Sequence, residues 1–114
     1  MESRIFTTPY AESTVTVTLD TSIVKLADWG SVQALQVGSL VFIRFYGIQS
    51  LNDINGSVRI ATLNVTPKVN AVYPAWTVNH TLNGEFITTR GGAYINANHM
   101  VKGVNSYVEV IFPA

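Results

Sequence analysis

The chain has 114 residues, 47% of them hydrophobic and only 12% charged, and its seven basic and seven acidic side chains cancel to a formal net charge of zero. Length and composition point to one folded domain with a genuine core rather than a disordered chain. The charge balance removes the field that non-specific nucleic-acid or anionic-membrane binding would use, and the absence of cysteine excludes disulfides and thiolate chemistry.

The N-terminal MESRIFTTPY has no apolar signal region, and the longest strongly apolar run, LVFI, is far too short to cross a bilayer. Neither export nor membrane insertion is expected. The first patterned segment is STVTVTL at 13–19, where Thr14, Thr16 and Thr18 alternate with Val15, Val17 and Leu19, the period of a half-buried strand. After Asp20 and Thr21, SIVKL is expected to form a short partner strand. WGSVQALQV, residues 29–37, fits either a helical turn or an irregular strand.

SLVFIRFYG follows at 39–47, a strand closed by Gly47. The polar LNDING, with Asn55-Gly56 as turn punctuation, leads into the strand SVRIATL. Pro67 and Pro74 bracket an extended, irregular segment suited to a sheet edge or a crossover between sheets. AWTVNH and EFITT flank Asn83-Gly84, the strongest hairpin signal in the chain. Arg90-Gly91-Gly92 makes a further turn into AYIN, and the chain finishes with SYVEVIF, which sends Val108, Val110 and Phe112 one way and Tyr107, Glu109 and Ile111 the other. Helical periodicity is absent. About eight short strands with turn signals at roughly ten-residue spacing predict an all-β fold, an antiparallel sandwich or jelly roll, in one domain over 1–114.

In SLVFIRFYG both strand faces are apolar: Val41, Ile43 and Phe45 on one side, Leu40, Phe42 and Tyr46 on the other, with Arg44 alone among the latter. Leaving that second face in water forfeits about 1.5–3 kcal/mol for each large apolar side chain. Either a neighbouring subunit covers it, with Arg44 aimed at a carboxylate or carbonyl of another chain, or a loop of the same chain covers it and Arg44 points outward.

Enzymatic signatures are missing. His80 and His99 are the only histidines, and neither has metal-ligand spacing. There is no nucleophile elbow, phosphate loop, dinucleotide fingerprint or recognisable carboxylate pair. No catalytic residue, metal or cofactor is therefore expected.

The order of motifs carries more than any one of them. L-V-F-I-R-F-Y-G at 40–47, the Asn55-Gly56 strand with its proline-flanked crossover, the N-G pair at 83–84 and the closing Lys102-Gly103-Val104-Asn105-Ser106-Tyr107 together resemble the C-terminal head domain of receptor-binding proteins from siphophage baseplates and tail fibres, especially those of lactococcal phages. The resemblance covers about residues 36 to 110. It implies a β-barrel or jelly-roll head that forms a homotrimer through Leu40, Phe42, Arg44 and Tyr46, sits at the virion tail tip after folding in the host cytoplasm, contacts other baseplate or tail proteins, and binds host cell-wall saccharide. Heads of that family follow a shoulder and neck, whereas only about 35 residues precede the resemblance here; they either replace those parts or are a remnant of them.

A saccharide site needs a flat ring against the sugar's C–H face and hydrogen-bonding side chains around it. The densest supply lies between Trp76 and Lys102: Trp76, Asn79, His80, Arg90, Tyr94, Asn96, Asn98, His99 and Lys102, with Trp29 as a further candidate. Core packing and sugar stacking both remain open for Trp76. Alternation along a regular strand would part Asn79 from His80. Lys102 holds the position of a basic residue in the resembling heads, and its point charge suits an anionic or phosphate-bearing polysaccharide. Two other functions fit the same residues: a structural baseplate component, and a bacterial carbohydrate-binding module.

Overall fold

β-branched and aromatic residues alternating with polar ones leave the chain no stripe on which a helix could bury itself. Accordingly, the computed structural model, which describes residues 3–5 and 15–114, contains only strands, turns and loops. The strands are β1 (Ser3–Ile5), β2 (Val17–Leu19), β3 (Val24–Val37), β4 (Leu40–Ser50) and β5 (Val58–Leu63), followed by β6 (Ala71–Trp76), β7 (Leu82–Thr89), β8 (Gly92–Asn98) and β9 (Ser106–Pro113).

They form one sheet in the order β1-β3-β4-β9-β6-β7-β8-β5-β2. β2 to β9 are antiparallel to their neighbours, and β1 adds in parallel along the second half of β3. From β2 the tight Asp20–Ile23 turn, in which the Asp20 carbonyl accepts the Ile23 and Val24 N–H groups, brings the chain back beside the start of β3. The sheet thus nearly closes into a barrel. β5 lies next to β8, outside the β6-β7-β8 meander, a Greek-key arrangement. The interior is filled from all sides by Val17, Val24, Ile43, Ile48, Phe45, Ile60, Phe86, Ile95, Met100 and Phe112, each almost wholly buried, with the Phe45 and Phe86 rings edge to face at 5.0 Å.

Alternation along β4 and β9 is as the sequence predicts. Val41, Ile43 and Phe45 are buried while Leu40, Arg44 and Tyr46 are exposed; Val108, Val110 and Phe112 are buried while Glu109 and Ile111 are exposed. Residues 29–37 are strand rather than helix, the second half of β3, and the irregularity is a shift of pairing against β4 between Leu26 and Ser31. Ser13 and Thr14 of the expected first strand lie outside the described residues.

Four expectations are corrected. Gly47 does not close its strand: β4 runs through it to Ser50, and the glycine sits at a shift of the β4–β9 pairing. SIVKL does not pair with the strand before it: Val24 opens the long β3, which pairs with β4, while β2 pairs with β5. Asn83-Gly84 is not a hairpin turn. Both residues lie inside β7, and the reversal between β6 and β7 is the Thr77–Thr81 segment, where the two threonine hydroxyls meet at 2.7 Å and the Thr77 N–H reaches the Thr81 carbonyl. Gly84, at φ +85°, belongs to a bulge that shifts the β6–β7 register between Pro74 and Trp76, so its left-handed backbone serves the strand and not a turn. Asn79 and His80 accordingly sit in the turn, with His80 at φ +62°, and strand alternation does not govern where they point.

Pro74 explains why β6 is a seam. It has no N–H to donate, and β6 pairs with β7 along its length but with β9 only at Trp76 opposite Tyr107.

Candidate functional site

The registers of β3, β4 and β9 assemble the outer face in rows. Leu35, Phe42 and Ile111 are aligned across the three strands; beside them run Gln33, Arg44 and Glu109, and then Ser31, Tyr46 and Tyr107, the last row continuing onto β6 as Trp76. No loop of the described chain covers this face: Leu40, Tyr46, Trp76 and Ile111 are all exposed. The face changes character at its middle row, aliphatic with one phenylalanine on one side of Arg44 and Glu109, aromatic on the other.

Trp29 joins the aromatic half through two irregularities. The β3 pairing shift lets its ring lie across the β4 backbone, and Gly47, at φ +73°, leaves the room: a Cβ built there would sit 2.6 Å from the indole. The Trp29 ring stacks on Tyr107 with centroids 6.1 Å apart and meets Tyr46 edge-on at 5.9 Å, while Tyr46 and Tyr107 meet at 4.7 Å. Such offset and edge-to-face contacts hold rings in fixed orientations while leaving part of each in solvent.

Two open grooves share the middle row. One, of about 350 Å³, is bounded by Arg44, Tyr46, Pro74, Trp76, Tyr107 and Glu109. The other, of about 270 Å³, lies over Gln33, Leu35, Phe42 and Ile111 and reaches the same Arg44 and Glu109. Arg44 Nη2 donates to Glu109 Oε1 at 2.9 Å, so the guanidinium meets a carboxylate of its own chain. The two side chains are 56% and 63% exposed, and an ion pair so hydrated contributes only about 0.2–1 kcal/mol to stability.

Of the residues that the sequence nominates for saccharide, Trp76 lies in this groove, where its 44% exposure places it on the surface rather than in the core, and Trp29 flanks it through its contacts with Tyr46 and Tyr107. The others are distributed elsewhere. Strand directions put Asn79, His80, His99 and Lys102 at one end of the barrel and Arg90 at the opposite end. His99 borders a separate shallow groove with Glu85 and Leu82. The Arg59 guanidinium lies 4.1 Å from the centroid of the Tyr94 ring and stacks on it, and Asn96 donates to Ser57 Oγ beside them. The Arg90 N–H is held by Asn70, and the Lys102 N–H by the Asp53 carboxylate. Among the described residues no three His, Asp or Glu side chains gather as metal ligands.

Tyr107 and Glu109 are the site residues that sequence reasoning passed over. Alternation in SYVEVIF puts both outward, but only the β4–β9 register sets them beside Tyr46 and Arg44, and that register is not written in either strand alone. The chain matches no known protein-family model, and no curated protein and no solved structure matches it.

Proposed function

We propose that this chain is a non-catalytic adhesive head that binds saccharide, of the kind that attaches a phage tail tip to the wall of its host. The observation that carries the reading is the aromatic row of exposed Tyr46 and Trp76 with half-buried Tyr107 between them, flanked by exposed Trp29, along a groove of a size that accepts a sugar ring. Rings held open to solvent offer flat apolar surface to the C–H face of a pyranose, while Arg44 and Glu109 at the rim supply charged hydrogen-bonding groups. The Greek-key connection is a unit from which jelly-roll heads are built, and supports placing this barrel among them.

The aliphatic half of the same face has a second role in this proposal. Leu35, Leu40, Phe42 and Ile111 form the contact with neighbouring copies around a threefold axis, so that each subunit covers the greasy half of another and leaves the aromatic half outward. A single site of this size binds near millimolar, about 4 kcal/mol, and three linked copies gain about 10² to 10⁴ in avidity without new contacts. The aliphatic half equally favours a structural baseplate part that docks on another tail protein without gripping sugar.

Sedimentation of the protein with purified cell walls of Gram-positive hosts separates the two. Binding that falls at least about tenfold in Trp76→Ala and in Tyr46→Ala, with thermal unfolding unchanged, supports the adhesin. Absence of wall binding by a folded trimer rejects it in favour of the structural part, and a monomer that binds sugar points to a detached carbohydrate-binding module.

A further inference from the structure

We infer that the aromatic groove selects a neutral sugar through two adjacent ring hydroxyls, which bridge Arg44 and Glu109 while the ring lies against Tyr46 and Trp76. This rests on the saccharide reading and specifies its ligand.

The ion pair is made through one nitrogen and one oxygen, Arg44 Nη2 and Glu109 Oε1. A guanidinium carries five N–H donors and a carboxylate two acceptor oxygens. Among the described residues the remaining Arg44 donors and Glu109 Oε2 have no side-chain or backbone partner, and both side chains are more than half exposed where the groove reaches them. A donor set and an acceptor thus stand side by side, on either side of a contact in which Nη2 and Oε1 are one hydrogen-bond length apart. Neighbouring hydroxyls on a sugar ring are separated by a similar span, and each hydroxyl both donates and accepts. One accepts from the guanidinium and the other donates to Glu109 Oε2, both as charge-assisted bonds that exceed neutral ones in strength.

Charge decides the class. The pair sums to zero, as does the whole chain. A phosphate or uronate drawn to Arg44 would face the Glu109 carboxylate at the same time, and an amino sugar drawn to Glu109 would face the guanidinium, each losing by repulsion what it gains. Lys102 does not redress this: it is at the end of the barrel, beside the Asp53 carboxylate, and outside the groove. The anionic polysaccharide that Lys102 invites on sequence grounds is therefore not the ligand that this groove fits.

The test uses the intact protein, with tryptophan fluorescence and the indole N–H signals as readouts. The probes are neutral methyl pyranosides with a free vicinal diol, their 2,3-di-O-methyl derivatives, and two anionic probes, methyl glucuronoside and glycerol phosphate. The expected result is binding of the free diols, loss of at least about tenfold in their di-O-methyl derivatives and in both Glu109→Gln and Arg44→Lys, and little change between low and high salt. Circular dichroism and thermal unfolding verify that both variants, at an exposed pair, remain folded. Tighter binding of the anionic probes, weakening with salt and strengthening in Glu109→Gln, overturns the inference and leaves the saccharide reading standing. Equal binding of free and methylated diols overturns it likewise. Failure of every probe to perturb the tryptophan signals, at concentrations well beyond millimolar, overturns both.

Discussion

Gly47 links backbone conformation to the site more directly than any other single residue. Its φ of +73° lies where a side chain is strained, and a methyl group there would meet the Trp29 ring at 2.6 Å. Gly47→Ala is expected to lower stability by about 1–3 kcal/mol, measured by denaturant unfolding, and to move Trp29 off Tyr107, read as a change in tryptophan fluorescence. A second residue-scale prediction concerns acid. The Asp20 carboxylate accepts the Ser22 hydroxyl at 2.6 Å and the Ser22 N–H at 3.0 Å, and these bonds, the hydroxyl's first, hold its carboxyl below the usual carboxylate range. A group depressed in the folded state contributes stability above its unfolded pKa and loses that contribution as pH falls through the folded value. Ser22→Ala removes the larger cause, so the Asp20 carboxyl followed by NMR is expected to titrate at higher pH, closer to that of a free aspartate.

At the scale of the element, β7 carries the most consequential irregularity. Gly84 stands where a Cβ would lie 2.3 Å from the Asn98 carbonyl oxygen, at a φ of +85°, so the bulge brings β7 and β8 closer than any side chain allows. Gly84→Ala is expected to cost more than about 2 kcal/mol in urea denaturation, whereas Gly91→Ala, at an exposed turn with nothing within 4 Å of the added Cβ, meets only the backbone strain of its φ of +80° and is expected to cost less. The preceding Asn83 is buried, donates to Ser106 Oγ at 2.8 Å and accepts the Val101 N–H at 2.9 Å, so it ties the loop before β9 to the sheet. An N-G pair between two strand-like runs is the strongest short hairpin signal, and it misleads here because a bulge demands the same left-handed glycine as a tight turn. Alternation, by contrast, was legible in β4 and β9, since burial of every second residue needs nothing beyond the pleat.

For the molecule as a whole, the question is what meets the aliphatic half of the β3-β4-β9 face. Leu40 and Ile111 are exposed, and Phe42 and Leu35 half-buried, around the groove that ends at Arg44. If three copies share this half, Phe42→Asp at the centre of the row removes about 1.5–3 kcal/mol of burial at each contact and inserts a charge, and light scattering is expected to shift from trimer to monomer while circular dichroism stays unchanged. A wild-type chain that remains monomeric at high concentration sinks this prediction.

Local pattern alone determined the all-β fold class, the inward set of the two central strands and the existence of a largely apolar outward face on β4, because strand period and side-chain type are properties of the segment itself. The candidate site was another matter. Trp29, Tyr46, Trp76, Tyr107 and Glu109 come from four strands spread over 81 positions of the chain, and their meeting depends on two bulges and on the pairing of β4 with β9. Register between distant strands is set by the simultaneous packing of the whole barrel, a condition that no single stretch of residues can express.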